Sequence, residues 1–249
     1  LMLSKIKNVL IIVNKGQLKQ YKKIIPDGKR LGMNITYKEQ DKPKGLPDAF
    51  ILGKNFIKKD KVAMILGDNF FYGQSLTKML TKCVNITDGA KVILHKVVNP
   101  KNFGVAQVKD KKIVKIKEKP KKFFSDLAIT GLYFFDNKVI EYAKKLKPSK
   151  RNELEIVDLL NQYRIKNRLS AELIGRGGAW LDTGSIEDFY KTSNFVSAIE
   201  NQQGFKIACL EEISLSNGWI KRSDIKKSIE FYGNCNYSKY LKKIISWKL

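Results

Sequence analysis

Cysteine, histidine, arginine and long apolar runs are all scarce in this 249-residue chain, and each scarcity excludes something. Cys83, Cys209 and Cys235 stand far apart with no CxxC or Cys/His spacing, which argues against a disulfide framework and a zinc site and fits a reducing cytoplasm. His95 is the single histidine. It lies inside the apolar run AKVILHKVV, so it is read as a packing residue, and Ser-His-Asp and Cys-His schemes are set aside. The longest early apolar run, VLIIV at 9–13, falls far short of the ~20 residues that cross a bilayer. No small-residue cleavage site follows it, so neither a membrane partner nor a targeting segment is read. No internal repeat or low-complexity linker is visible.

Acids are also scarce: 24 Asp and Glu stand against 48 Lys and Arg, for a net charge of +24. Lys outnumbers Arg 42 to 6 and is spread along the whole chain. Nucleic-acid readers gather charge on one face and favour Arg with stacked aromatics, so the excess is read as a lysine-biased surface, with no nucleic-acid partner. Such a field still draws in phosphorylated small molecules.

What is present is a real core. With 43% hydrophobic residues, a chain of this length should bury roughly three quarters of its extended surface. Strands and helices alternate: strand 9–13, helix 17–24, strand 35–39, a proline-opened helix 47–56 and strand 62–66, which is a βαβαβ run. A helix at 76–83, a strand at 91–97, a hairpin of 104–108 with 113–117 about the turn KDKK, and a strand at 128–134 follow. Helices are expected at 138–146 and 153–166, a strand at 170–174, and a helix at 186–200 with Ser185 as N-cap. Short elements come after 203, ending in an amphipathic stretch at 237–245. The expected class is α/β: a Rossmann-like mixed, mostly parallel sheet flanked by helices. Residues 1–184 would form its core and 185–249 a helical carboxyl-terminal extension.

In such sheets ligands bind beyond the carboxyl ends of strands, where ILGDNFFYG puts Asp68. A second acid, Asp182, sits in GGAWLDTGS. Two carboxylates brought to one cleft suit Mg²⁺, whose other oxygens come from phosphate and water. Each alone would equally suit a turn or helix cap. In KEKP, Lys119 could hold a phosphate as a point charge while Glu118 accepts from hydroxyls.

The runs ILGDNFFYG, NPKNFGVAQV, KEKP, AITGLYFFDNKVIEYAKKLKPS, NELEIVDL, WLDTGS and SNFVSAIENQQGFKIACLEEI, in this order, resemble the glucose-1-phosphate thymidylyltransferases. The resemblance extends from residue 3 to about residue 240. It implies an enzyme that joins dTTP and glucose 1-phosphate into dTDP-glucose and pyrophosphate with Mg²⁺, feeding rhamnose synthesis, and a cytoplasmic homotetramer. It also implies roles. Asp68 and Asp182 match the two metal-binding aspartates, Lys119 the lysine on the sugar phosphate, and Glu118, Gly104 and Thr130 the glucose site. Gln40 and Gly45 match positions around the thymine, and Trp180 an apolar neighbour of the metal site.

Three departures are visible. Phe103 stands where a tyrosine is usual, and LPDA at 46–49 replaces the common LAQA. The family's GGxGTRLxPxT loop, whose backbone N–H groups cradle the triphosphate, and the lysine of a following KPxxP segment do not occur. Leu1 is not an initiator methionine. The chain is therefore read as an amino-terminally incomplete member lacking roughly 25 to 45 residues, the length of one strand, the loop and one helix. A weakly active or inactive form is expected, with a non-catalytic sugar-nucleotide-binding or regulatory relative as the alternative. The lost strand would belong between strands 9–13 and 62–66, leaving a slot about two strand spacings wide, near ~9–10 Å.

Overall fold

Each long apolar run of the sequence becomes a strand in the computed structural model, which describes residues 1–246. In chain order come β1 (Asn8–Asn14), α1 (Leu18–Ile24), β2 (Asn34–Gln40), α2 (Asp48–Leu52), α3 (Lys54–Ile57) and β3 (Val62–Ile65). Next are β4 (Asn69–Gly73), α4 (Leu76–Val84), β5 (Ala90–Lys96), β6 (Gly104–Lys109), β7 (Lys112–Glu118) and β8 (Leu127–Phe135). Then follow α5 (Val139–Lys145), α6 (Ile156–Ile165), β9 (Leu169–Leu173), β10 (Gly178–Asp182) and α7 (Ile186–Gln203). The last helices are α8 (Leu210–Ser216), α9 (Ile225–Tyr232) and α10 (Asn236–Ser246).

Two compact units result: Gln40–Asp188, and Leu1–Glu39 together with Phe189–Leu249. The division falls after Glu39 and again after Asp188. The first 39 residues group with the carboxyl-terminal helices, because Met2, Leu31, Met33 and Ile35 share a buried cluster with Leu210, Ile213 and Trp219. Residues 247–249 of the expected extension lie outside the described residues.

The Gln40–Asp188 unit is built on a mixed sheet in the order β7-β6-β8-β5-β9, with β3 also paired to β8. β5 and β9 are parallel, and β8 runs antiparallel to β3, β5 and β6. Four strands (β3, β5, β6, β9) thus point one way and two (β7, β8) the other, giving a mixed sheet flanked by helices. Eight of the nine residues of β8 are buried. That is why LAITGLYFF reads as a continuous apolar run rather than an alternation. Phe135, Val92, Val139, Leu159, Leu160 and Tyr163 are fully buried in this unit's core. Each such side chain contributes about 1.5–3 kcal/mol of transfer free energy.

The hairpin turn falls on Asp110 and Lys111, whose φ values of 49° and 61° suit a two-residue loop that follows the strand twist. The helix expected at 47–56 breaks into α2 and α3 at Gly53, a poor helix former. α6 begins three residues later than expected, because the Leu154 N–H is taken by the Lys44 carbonyl at 2.8 Å and Ser149 Oγ donates to Glu155 Oε1 at 2.6 Å. The βαβαβ run does not form one sheet: β1 pairs with β2, whereas β3 pairs with β8.

Candidate active site

β3 ends at Ile65, and three residues on, Asp68 is exposed in the connection to β4. β4 and β10 form an antiparallel pair in which Asn69 lies opposite Asp182. The register carries the two acids to the same end of that ribbon. Thr183 seals it: its N–H and its hydroxyl both donate to the Asp68 carbonyl, at 2.7 and 2.8 Å. A Cβ placed on Gly184 would meet Asp182 Oδ1 at 3.1 Å and Asp68 Oδ2 at 3.8 Å, so the two carboxylates face one point from segments more than a hundred residues apart. Burial of Asp182, and after it the neighbouring Asp68 charge, push its pKa up, against the lowering effect of the Gly184 N–H.

An octahedral Mg²⁺ takes one or two protein carboxylates and fills its other positions with phosphate and water. Two hard oxygen donors facing one point, with a repulsion that a divalent cation would relieve, fit that ion. Among the described residues no group of three or more His, Cys, Asp or Glu that could hold a metal ion occurs.

The Glu118–Lys119 pair lies at the end of β7. Glu118 is opposite Gly104 in register, and its Oε2 lies 3.1 Å from where a Gly104 Cβ would be. Burial raises the Glu118 pKa, and the Lys119 charge works against it. Lys119 is exposed, holds a left-handed φ of 39°, and donates its backbone N–H to the Phe103 carbonyl at 3.0 Å. Left-handed backbone at a non-glycine residue costs on the order of 1–3 kcal/mol and clusters at functional sites. The charge of Lys119 also acts on Asp182, which places the two in one electrostatic neighbourhood.

Trp180, on β10, is 6% exposed and packs edge-on against Phe103, with ring centroids 5.1 Å apart. The His95 ring packs edge-on to the Trp180 ring, with centroids 6.0 Å apart. Thr130 is fully buried, and its hydroxyl donates to the Ile93 carbonyl at 3.0 Å. Gln40 ends β2. Gly45 has φ +97° and lies directly on the Leu154 backbone, 2.1 Å from that carbonyl to a would-be Cβ, so only glycine fits there.

The structure thus brings together Asp68, Asp182, Glu118, Lys119, Gly104 and Trp180. Gln40 and Gly45 stand on separate segments, and Thr130 faces the sheet interior. Two residues that the sequence reading passed over join them. Asn69 bonds Asp68, Gly131 and Trp180. Arg151 grips Glu155 through two contacts of 3.2 and 2.8 Å, and its charge reaches Glu118. Asn69 had a visible signal, an amide directly after an acid at the mouth of an aromatic strand. Arg151 had none beyond its charge.

A family model described as Nucleotidyl transferase matches residues 1–199. Over 98% of its length the chain is 42% identical to a glucose-1-phosphate thymidylyltransferase of Neisseria meningitidis, covering 85% of that protein. It is 36% identical to one of Mycobacterium tuberculosis, again over 98% of the chain and 85% of the relative. A Bacillus anthracis protein described as a glucose-1-phosphate thymidylyltransferase, solved in complex with a sucrose, superposes with a TM-score of 0.71 at 35% identity over 77% of each chain. A UDP-glucose pyrophosphorylase complexed with UDP-glucose shares the fold, with a TM-score of 0.68 at 22% identity over 79% of this chain and 83% of the other. The match across residues 1–199 and relatives this similar over nearly the whole length show that the chain belongs to the nucleotidyl transferase family, in its glucose-1-phosphate thymidylyltransferase group.

Proposed function

We propose that this site serves Mg²⁺-dependent transfer of a thymidylyl group from dTTP to glucose 1-phosphate, giving dTDP-glucose and pyrophosphate. The observation that carries the proposal is the approach of Asp68 and Asp182 to one point beside Gly184, within reach of the Lys119 charge. Mg²⁺ held by the two carboxylates would offset the negative charge that gathers on the phosphates. Lys119 holds the sugar phosphate, and Glu118, over Gly104, accepts from glucose hydroxyls. Trp180 and Phe103 form an apolar wall that fixes the sugar's orientation, Thr130 is also assigned to the glucose, and Gln40 and Gly45 are assigned to the thymine. An oxygen of glucose 1-phosphate then displaces pyrophosphate from the α-phosphorus in a single step. Catalysis by this chain is positioning and electrostatics, with no covalent intermediate. Supply of dTDP-glucose for rhamnose synthesis, a homotetramer and a cytoplasmic location belong to the same proposal.

A second reading is kept beside it. The family's GGxGTRL run is not among the 249 residues, so the loop that would cradle the triphosphate is not supplied by them. Losing one preorganised donor at such a site costs about 10²–10³ in rate, so the 249 residues alone should form dTDP-glucose at a negligible rate. The alternative is a sugar-nucleotide-binding relative without turnover. Both are tested by measuring dTDP-glucose and pyrophosphate formation by the 249 residues and by the same residues fused behind a relative's GGxGTRL-bearing strand and loop. Turnover by the fusion, abolished by Asp68→Ala or Asp182→Ala, is expected. A folded fusion that binds dTDP-glucose and never turns over would instead establish the non-catalytic reading.

A further inference from the structure

Asn69 opens β4 directly after Asp68, and its side chain sits where three segments meet. Its Oδ1 accepts from the Gly131 N–H of β8 at 2.8 Å and from the Trp180 indole N–H of β10 at 2.6 Å. Its Nδ2 donates to Asp68 Oδ1 at 2.8 Å. Both groups facing the oxygen are donors only, so the amide has one permitted orientation, and that orientation aims the NH₂ at the carboxylate. β8 leaves room for it: a Cβ on Gly131 would lie 2.6 Å from Asn69 Cγ and Oδ1 and 2.7 Å from Nδ2, closer than real Cβ contacts come. The seat therefore exists only because β8 carries a glycine at that point.

Asp68 is exposed on a loop, where a bare carboxylate turns freely among rotamers. Pinning Oδ1 to the amide leaves Oδ2 on the Gly184 side, toward Asp182. Asp182 is pinned in the same manner, its Oδ1 accepting the Gly184 N–H at 2.9 Å. Each acid thus has one oxygen held by a neutral donor. Partners of this kind orient carboxylate ligands and, when removed, cost about 10–100-fold in metal affinity.

We infer that Asn69 is the positioning residue of this site, holding Asp68 in the orientation in which it and Asp182 together accept a divalent cation, with Gly131 as its seat. The inference rests on the reading of the acid pair as a metal site and adds the residue that sets its geometry. A merely structural Asn69 would tie β4 to β8 and β10 and leave cation affinity alone.

The test is titration of the 249-residue chain with Mn²⁺ alone, the free ion counted by its paramagnetic resonance signal, in wild type, Asn69→Ala, Gly131→Ala and Asp68→Ala. Circular dichroism and thermal unfolding report the fold of each. Asp68→Ala should abolish the site. Asn69→Ala should weaken Mn²⁺ binding about 10–100-fold, and Gly131→Ala, which displaces the amide without touching either acid, should weaken it in the same direction. The Trp180 indole N–H resonance should shift in both. Wild-type affinity in folded Asn69→Ala or folded Gly131→Ala, with binding lost in Asp68→Ala, would overturn the positioning role alone. Identical titrations for wild type and Asp68→Ala would overturn the metal reading, and the role of Asn69 with it.

Discussion

In Gln40–Asp188 the interior is apolar sheet: Val92 and Leu94 of β5 and Tyr133 and Phe135 of β8 share a buried cluster with Val139 of α5 and Leu159 and Tyr163 of α6, and the acids of the candidate site stand at or just beyond strand ends. In Leu1–Glu39 with Phe189–Leu249 the sheet has two strands, and a fully buried Glu211 lies in the interior. Arg30 donates to Glu211 at 2.7 Å and to Ser228 at 2.6 Å, and Tyr237 donates to the other Glu211 oxygen at 2.7 Å. Aromatic rings close over the cation, with Phe231 at 4.2 Å and Tyr232 at 4.8 Å. One unit therefore holds its polar chemistry at the rim of a rigid apolar frame, while the other uses a polar knot as part of its frame. The first arrangement leaves carboxylates available for a ligand. The second commits them to stability.

The comparison is broken most directly at the knot. Arg30→Ala should cost about 3–5 kcal/mol in denaturant unfolding, because Glu211 is left buried without its cation. Replacing both residues with apolar ones of similar volume should recover most of that loss. If Arg30→Ala costs no more than a surface change, the knot does not hold the unit together.

Phe135→Ala should cost a similar 3–5 kcal/mol in the other unit, through a cavity against Phe50, Tyr133 and Tyr163. Here no second polar substitution should rescue it, which separates the two kinds of frame. Calorimetry of both variants would show the contrast.

Lys119→Ala, in a protein carrying the phosphate-cradling loop, should weaken use of glucose 1-phosphate by about 1.5–3 kcal/mol, read in kcat/KM. Lys111→Ala, on the hairpin turn, should stay within about 0.5 kcal/mol of wild type. Equal kinetics for Lys119→Ala and wild type would remove Lys119 from the site.

The smallest effect concerns Glu118, whose pKa burial raises above its ordinary value. The folded state then holds the Glu118 proton more tightly than the unfolded state does, so stability falls as pH rises from the ordinary glutamate range to the raised folded value. Below that range both states are protonated and the penalty is absent. Glu118→Gln should therefore gain on wild type as pH rises from 4 to 7 in thermal unfolding. A gain that is constant across that range would contradict the burial.

Much of this was legible because it is local. The uninterrupted apolar run of β8, the KDKK turn and the Ser185 cap, whose Oγ accepts the Asp188 N–H at 3.0 Å, depend on neighbours in sequence. β4 and β10 were missed as strands because each is short and glycine-edged and finds its partner more than a hundred residues away. The break at Gly53 and the late start of α6 depend on contacts that spacing does not encode. At the site, the two acids were readable from their places after apolar runs. Asn69 showed only as an amide after an acid, and its role stayed hidden because it arises from a glycine on one strand and an indole on another. The grouping of residues 1–39 with the carboxyl-terminal helices was hidden for the same reason: Arg30 meets Glu211 across 181 positions.

Calorimetric titration of the 249-residue chain with dTDP-glucose, with and without Mg²⁺, in wild type and Asp182→Asn, tests the assignment of the acid pair most directly. Binding should depend on Mg²⁺ and weaken about tenfold or more in Asp182→Asn, in keeping with about 1.5–3 kcal/mol for a charged contact. The same affinity in both chains, with or without Mg²⁺, would contradict the placement of the metal and the sugar nucleotide at Asp68 and Asp182.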